Sequence, residues 1–123
     1  MSKRILIVDD SGSLRMVVRL ALQRAGYEVL EAGDGVQGLA ELDKAGKVNL
    51  ILSDVNMPNM DGITFVKQVK AHPNHRFTPV IMLTTETGDQ KKDEGRAAGA
   101  KAWLVKPFNP PQLLDAVSKL VLN

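Results

Sequence analysis

Four short runs, RILIV at 4–8, LIL at 50–52, VIML at 80–83 and AWLV at 102–105, constrain this chain more than any other feature. Their apolar residues are continuous rather than alternating. A strand built from them has no wet face and needs helices on both sides, as in a parallel α/β sheet. A weaker run, YEVLEA at 27–32, alternates and predicts a fifth strand in a more exposed position.

Helical patterns fill the intervals. Leu14, Val17, Val18, Ala21, Leu22 and Ala25 form one stripe, and Gly26 stops it at the position where positive φ suits glycine. Asp34 reads as an N-cap with Gln37 three residues on, much like a capping box, followed by Val36, Leu39 and Leu42 facing inward before Gly46. A third helix is predicted over about 62–71 on Ile63, Val66 and Val69, stopping ahead of Pro73. The fourth, about 89–98, is charged and rich in Gly and Ala, so light packing and easy movement are expected. Asn109 as N-cap and Pro110 at the first helical position open a fifth, which turns Leu113, Val117, Leu120 and Val121 inward. Five βα units follow, an α/β fold spanning 1–123 as one domain without linker, repeat or low-complexity segment. A chain of 123 residues can bury about two thirds of its unfolded surface without disulfide or structural metal.

In such sheets ligands sit beyond the carboxyl ends of the strands. There the sequence places Asp9 and Asp10 after the first run, Asp54 after the third, Thr84 and Thr85 after the fourth, and Lys106 after the last. Three carboxylates gathered at one rim raise one another's pKa and strain the fold unless a cation joins them. All the donors are oxygens, which selects a hard cation, Mg²⁺. Lys106 adds a fixed positive charge for a phosphoryl oxygen, and Asp54 fits a carboxylate nucleophile that forms an acyl phosphate.

The segments VDDS (8–11), SDVNMPNMDG (53–62), MLTTE (82–86) and KPF (106–108) occur in the order and spacing of one family. The chain resembles the receiver domain of two-component response regulators over nearly its whole length, and is most similar to single-domain chemotaxis regulators of the CheY type. The resemblance implies a doubly wound, flavodoxin-like (βα)5 fold with five parallel strands in the order 2-1-3-4-5. It implies Asp54 as phosphoacceptor, Asp9, Asp10, Asp54 and the main-chain carbonyl of Asn56 as Mg²⁺ ligands, Lys106 paired with the phosphoryl group, and Thr84 donating its hydroxyl to it. Trp103 takes the place of the switch aromatic, although many members carry Tyr or Phe there. Thr85 replaces a smaller residue and could crowd the phosphoryl group, while Asn56 and Glu86 flank the site where the family tunes phosphoryl lifetime. Lys106-Pro107 is the implied cis peptide. Implied partners are a CheA-like histidine kinase as donor, a flagellar motor switch protein or another downstream protein on the face of helix 4, strand 5 and helix 5, and a phosphatase. With no output domain expected after residue 123, output is by association. A phosphate-sink or relay role uses the same chemistry, and the chain would be no turnover enzyme, catalysing only its own phosphoryl transfer and loss.

Competing readings are weaker. Sixteen Lys and Arg against 14 Asp and Glu leave +2, too little for a protein that binds nucleic acid by neutralising many phosphates. No stretch suits a secretory signal or a membrane span, and the lack of cysteine fits a reducing compartment, so a cytoplasmic protein is expected. An aspartyl-nucleophile phosphohydrolase needs a general acid two residues after the nucleophile, where Asn56 stands. A flavin carrier would not set two aspartates against a cofactor phosphate. EAGDG at 31–35 lacks the full dinucleotide fingerprint and reads as a turn and cap. His72 and His75, in a Pro-containing loop, are expected to be solvated. Met57 and Met60 should plug their loop or lie at its surface.

Overall fold

The computed structural model describes residues 2–85 and 89–122. Five strands, β1 (Arg4–Val8), β2 (Glu28–Ala32), β3 (Leu50–Asp54), β4 (Val80–Thr84) and β5 (Ala102–Val105), alternate with α1 (Gly12–Arg24), α2 (Gly35–Lys44), α3 (Gly62–Ala71), α4 (Asp89–Ala98) and α5 (Pro110–Leu120). The strands are parallel and ordered β2-β1-β3-β4-β5. The flavodoxin-like order expected for the chain is therefore the order it adopts.

Because side chains alternate across a strand, each apolar run serves two cores. Ile5 and Ile7, Leu50 and Leu52, and Ile81 and Leu83 face one layer with Val18 and Leu22 of α1 and Leu113 and Val117 of α5. Leu6 and Val8, Ile51, and Val80 and Met82 face the other with Leu42 of α2 and Phe65, Val66 and Val69 of α3. The central strands carry no wet face, as their continuous composition requires.

Two helices are rotated from their apolar stripes. Val17 is 56% exposed rather than inward, because α1 is turned so that Arg15 Nε and Arg19 Nη1 reach Glu31 of β2 at 3.3 and 2.6 Å. Val36 is 52% exposed, because α2 meets the core through Gly35, Gly38 and Leu42. At Gly38 a Cβ would lie 2.9 Å from Phe65 Cε1 and 3.2 Å from Val8 Cγ2, so the glycine permits an approach no larger residue would.

The caps hold with one offset. Asp34 Oδ1 accepts Gln37 N at 2.9 Å, but Gln37 Oε1 accepts Gly33 N, one residue before the cap. Asn109 and Gln112 form the full reciprocal box, at 2.9 and 3.0 Å. Gly26 has φ +94°, and Leu120 and Val121 are only partly buried. Asn49, buried just before β3, accepts Arg4 N at 2.9 Å with Oδ1 and donates to the Leu122 carbonyl at 3.0 Å with Nδ2.

The histidines correct the expectation of solvation. His75 is 2% exposed, and its Nε2 donates to the carbonyl of Leu42 at 3.0 Å. That carbonyl belongs to the last turn of α2, where intrahelical partners run out, so the loop after α3 supplies one from beneath. His72 is half-buried, with Nε2 2.9 Å from Asp43 Oδ1. Met57 and Met60 are partly buried against the core.

Candidate functional site

The strand ends set the site. Backbone bonds prolong the ladder past the last strand residues: Asp9 N to Ala32 O at 3.1 Å, Val55 N to Leu83 O at 3.2 Å, and Lys106 N to Thr84 O at 2.6 Å. Asp9, Asp54, Thr84 and Lys106 therefore leave a rigid platform at one rim.

Their side chains converge. Carboxylate oxygens of Asp9, Asp10 and Asp54 all lie within 4.8 Å of one another, with Asp9 and Asp54 buried and Asp10 exposed. Lys106 Nζ is 2.8 Å from Asp9 Oδ2 and 3.4 Å from Asp54 Oδ1. Backbone amides complete the surroundings: Ser11 N donates to Asp9 Oδ1 and Val55 N to Asp54 Oδ1, each at 2.8 Å. Arg15 Nη1 donates to the main-chain carbonyl of Asp9. An all-oxygen donor set of this density suits a hard divalent cation.

Burial pushes the Asp54 carboxyl above its ordinary value, and the neighbouring charge of Asp9 pushes the same way. Lys106 and the Val55 amide oppose both. One ammonium shared between two buried carboxylates leaves the rim short of positive charge, which a bound cation would supply.

Thr84 is fully buried at the end of β4, and Thr85 beside it is exposed. Asn56 is exposed in the β3–α3 loop, and Glu86 lies outside the described residues. The Lys106–Pro107 peptide is cis. Trp103, opposite Met82 in the sheet, packs on the layer of α2, α3 and α4. Gly95 of α4 makes room for it: a Cβ there would lie 2.7 Å from the ring's Cζ3. The indole Nε1 is buried without a hydrogen-bond partner among the described residues.

Sequence reasoning missed two contributors. Arg15 had a readable signal, since it stands four residues from Arg19 on one helix face. The second is Asn59, whose Nδ2 donates to Asp34 Oδ2 at 2.7 Å across 25 residues of sequence. No local pattern announces that bond.

Comparison with known proteins agrees with this geometry. The sequence pattern described as the response regulator receiver domain matches residues 5–118. The chemotaxis protein CheY1 of Helicobacter pylori is 39% identical over 121 residues, covering 98% of this chain and 97% of its own. The structure of chemotaxis protein CheY4 of Vibrio cholerae superposes with a TM-score of 0.94 at 50% identity, covering 98% of this chain and all of that one. The receiver domain of a sensor histidine kinase from Pseudomonas aeruginosa, with a magnesium ion coordinated in its active site cleft, superposes at 0.88 with 27% identity, covering 98% of both chains.

Proposed function

The chain belongs to the response regulator receiver family, and on that premise we propose that Asp54 is the phosphoacceptor of a two-component signalling switch. The observation that carries the reading is the rim itself, where Lys106 reaches both Asp9 and Asp54 beside a third carboxylate. The Val55 amide and Lys106 both engage Oδ1 of Asp54. That leaves Oδ2 to attack phosphorus.

The donor is the phosphohistidine of a CheA-like histidine kinase, or a small phosphodonor. A bond forms from Asp54 Oδ2 to phosphorus as the phosphorus–nitrogen bond breaks, and the imidazole leaves. Asp9, Asp10, Asp54 and the carbonyl of Asn56 would hold Mg²⁺, which when bound offsets repulsion between the carboxylates and the incoming phosphoryl group. Lys106 takes a phosphoryl oxygen, and Thr84 donates its hydroxyl to another. Attack of water on phosphorus breaks the Asp54 Oδ2–phosphorus bond, releases inorganic phosphate and restores the carboxylate, so the chain ends its own signal, and Asn56, Thr85 and Glu86 set how fast. Trp103 couples the event to the face of α4, β5 and α5, which binds a flagellar motor switch protein. We place this cycle in the cytoplasm and in chemotaxis, carried by residues 1–123 as one receiver domain, with a phosphatase as a further partner. Among the described residues no helix is long and apolar enough to cross a membrane.

Incubation with acetyl phosphate and Mg²⁺ followed by mass spectrometry tests the reading. One labile phosphoryl group on Asp54, absent from Asp54→Asn, is expected. Sustained release of phosphate from diverse monoesters without an adduct would instead identify a hydrolase.

A further inference from the structure

The β3–α3 loop leaves the sheet just past Asp54, yet its conformation is set from α2. Asn59 holds φ at +66°, in the left-handed region, which asparagine enters more readily than most residues with a Cβ. Its Nδ2 donates to Asp34 Oδ2 at 2.7 Å, which ties that backbone state to the start of α2. Beside it Met60 lies over Gly35, where a Cβ would come within 2.8 Å of Met60 Cγ. The loop thus rests on the first turn of α2 through one polar and one apolar contact.

Asp34 is 4% exposed and divides its two oxygens. Oδ1 caps α2 through Gln37 N at 2.9 Å. A cap needs only that one acceptor, and serine would serve as well. The second oxygen is used by a residue 25 positions away, in the loop that also carries Asn56.

We propose that the Asp34–Asn59 bond fixes the loop from which Asn56 would supply its carbonyl, which makes these two residues positioning residues for divalent-cation binding at the acid cluster. The inference rests on the receiver reading above. Its physical content is preorganisation: a loop that holds the competent conformation only a third to a tenth of the time weakens apparent cation affinity about threefold to tenfold.

The test is a double-mutant cycle read by calorimetric titration with Mg²⁺ alone. Asn59→Gly removes the bond while keeping the positive φ accessible, and Asp34→Ser removes it while keeping a cap. Asp34→Ser also deletes a charge, so the cycle isolates the link. Each single variant should bind Mg²⁺ about threefold to tenfold more weakly, and the double variant no more weakly than the weaker single. The melting point of Asn59→Gly should stay within about 2 °C of the parent, since glycine keeps the left-handed backbone state and the bond lost is only part-buried. Amide exchange at residues 56–61 should quicken in metal-free Asn59→Gly. Unchanged affinity in Asn59→Gly, or effects that simply multiply in the double variant, overturns the proposal. If the parent binds Mg²⁺ and accepts phosphoryl from acetyl phosphate while both variants match it, only this inference falls. If the parent does neither, the receiver reading falls and takes the inference with it.

Discussion

Gly62 opens α3 directly beneath the backbone of Asp54. A Cβ at this position would lie 2.0 Å from the carbonyl oxygen of Asp54 and 2.9 Å from Met82 Cε. Ordinary carbon–oxygen contact needs roughly 3.3 Å, so Gly62→Ala must move backbone by about 1 Å. The amide of Gly62 donates to Val55 O at 2.7 Å, and a shift of that size breaks the bond. Leaving buried partners unmet costs about 1–3 kcal/mol and overpacking another 1–3, while better helix propensity returns at most about 1. A net loss of about 1–5 kcal/mol follows, or roughly 3–20 °C in melting point for a chain of this size. Circular dichroism at rising temperature measures it. Because the displaced atom belongs to Asp54, labelling by acetyl phosphate should slow about 10-fold to 100-fold in whatever fraction remains folded. Gly46→Ala is the control, since nothing lies within 4 Å of a Cβ there, and it should be neutral or slightly stabilising. A Gly62→Ala variant that melts within about 1 °C of the parent and labels at the parent's rate would refute the reasoning.

The raised pKa of Asp54 gives a stability prediction with a definite sign. A carboxyl whose folded pKa lies above its unfolded value adds stability that is fully present below the unfolded value of 3.8 and is lost as pH rises through the folded one. Metal-free Asp54→Asn should therefore melt about 3–6 °C above the parent at neutral pH, the shift that roughly 1 kcal/mol produces, and the gap should close toward pH 3.5; a lower melting point at pH 7 would count against it. Lys106→Met strands two buried carboxylates, so the metal-free protein should lose about 2–4 kcal/mol and regain more on adding Mg²⁺ than the parent does, as differential scanning fluorimetry would show. Gly38→Ala decides why α2 buries a glycine. Propensity alone predicts a gain of about 1 kcal/mol, whereas the 2.9 Å approach to Phe65 predicts a net loss of about 1–2 kcal/mol in denaturant titration.

The fold was legible because its strongest signals are local. Continuous strands mean two covered faces, and Asp34, Asn109 and Pro110 mark helix starts through short-range geometry. The rim was legible for a related reason: parallel strands all end at the same edge, so residues that follow them in sequence meet in space. Side-chain facing was less so. Val17 and Val36 were misplaced because a stripe of hydrophobicity ignores what arginines reach for and counts a buried glycine as nothing. His75 was misplaced because its acceptor, the Leu42 carbonyl, lies 33 residues away. A separation of 25 residues likewise hid the bond between Asp34 and Asn59. Contacts of that kind emerge only once the elements are assembled.

One buried amide, Asn49, binds the main chain of Arg4 and of Leu122 at once, so residues 4 and 122 lie beside each other at the edge opposite the acids. A bridge of a few residues would therefore join those positions without crossing the rim, and the covalent chain could be reopened in a surface turn such as that at Gly46. Such a circular permutant should keep every strand neighbour and every carboxylate in place, showing that the order in which the segments are synthesised is incidental to where the charges meet.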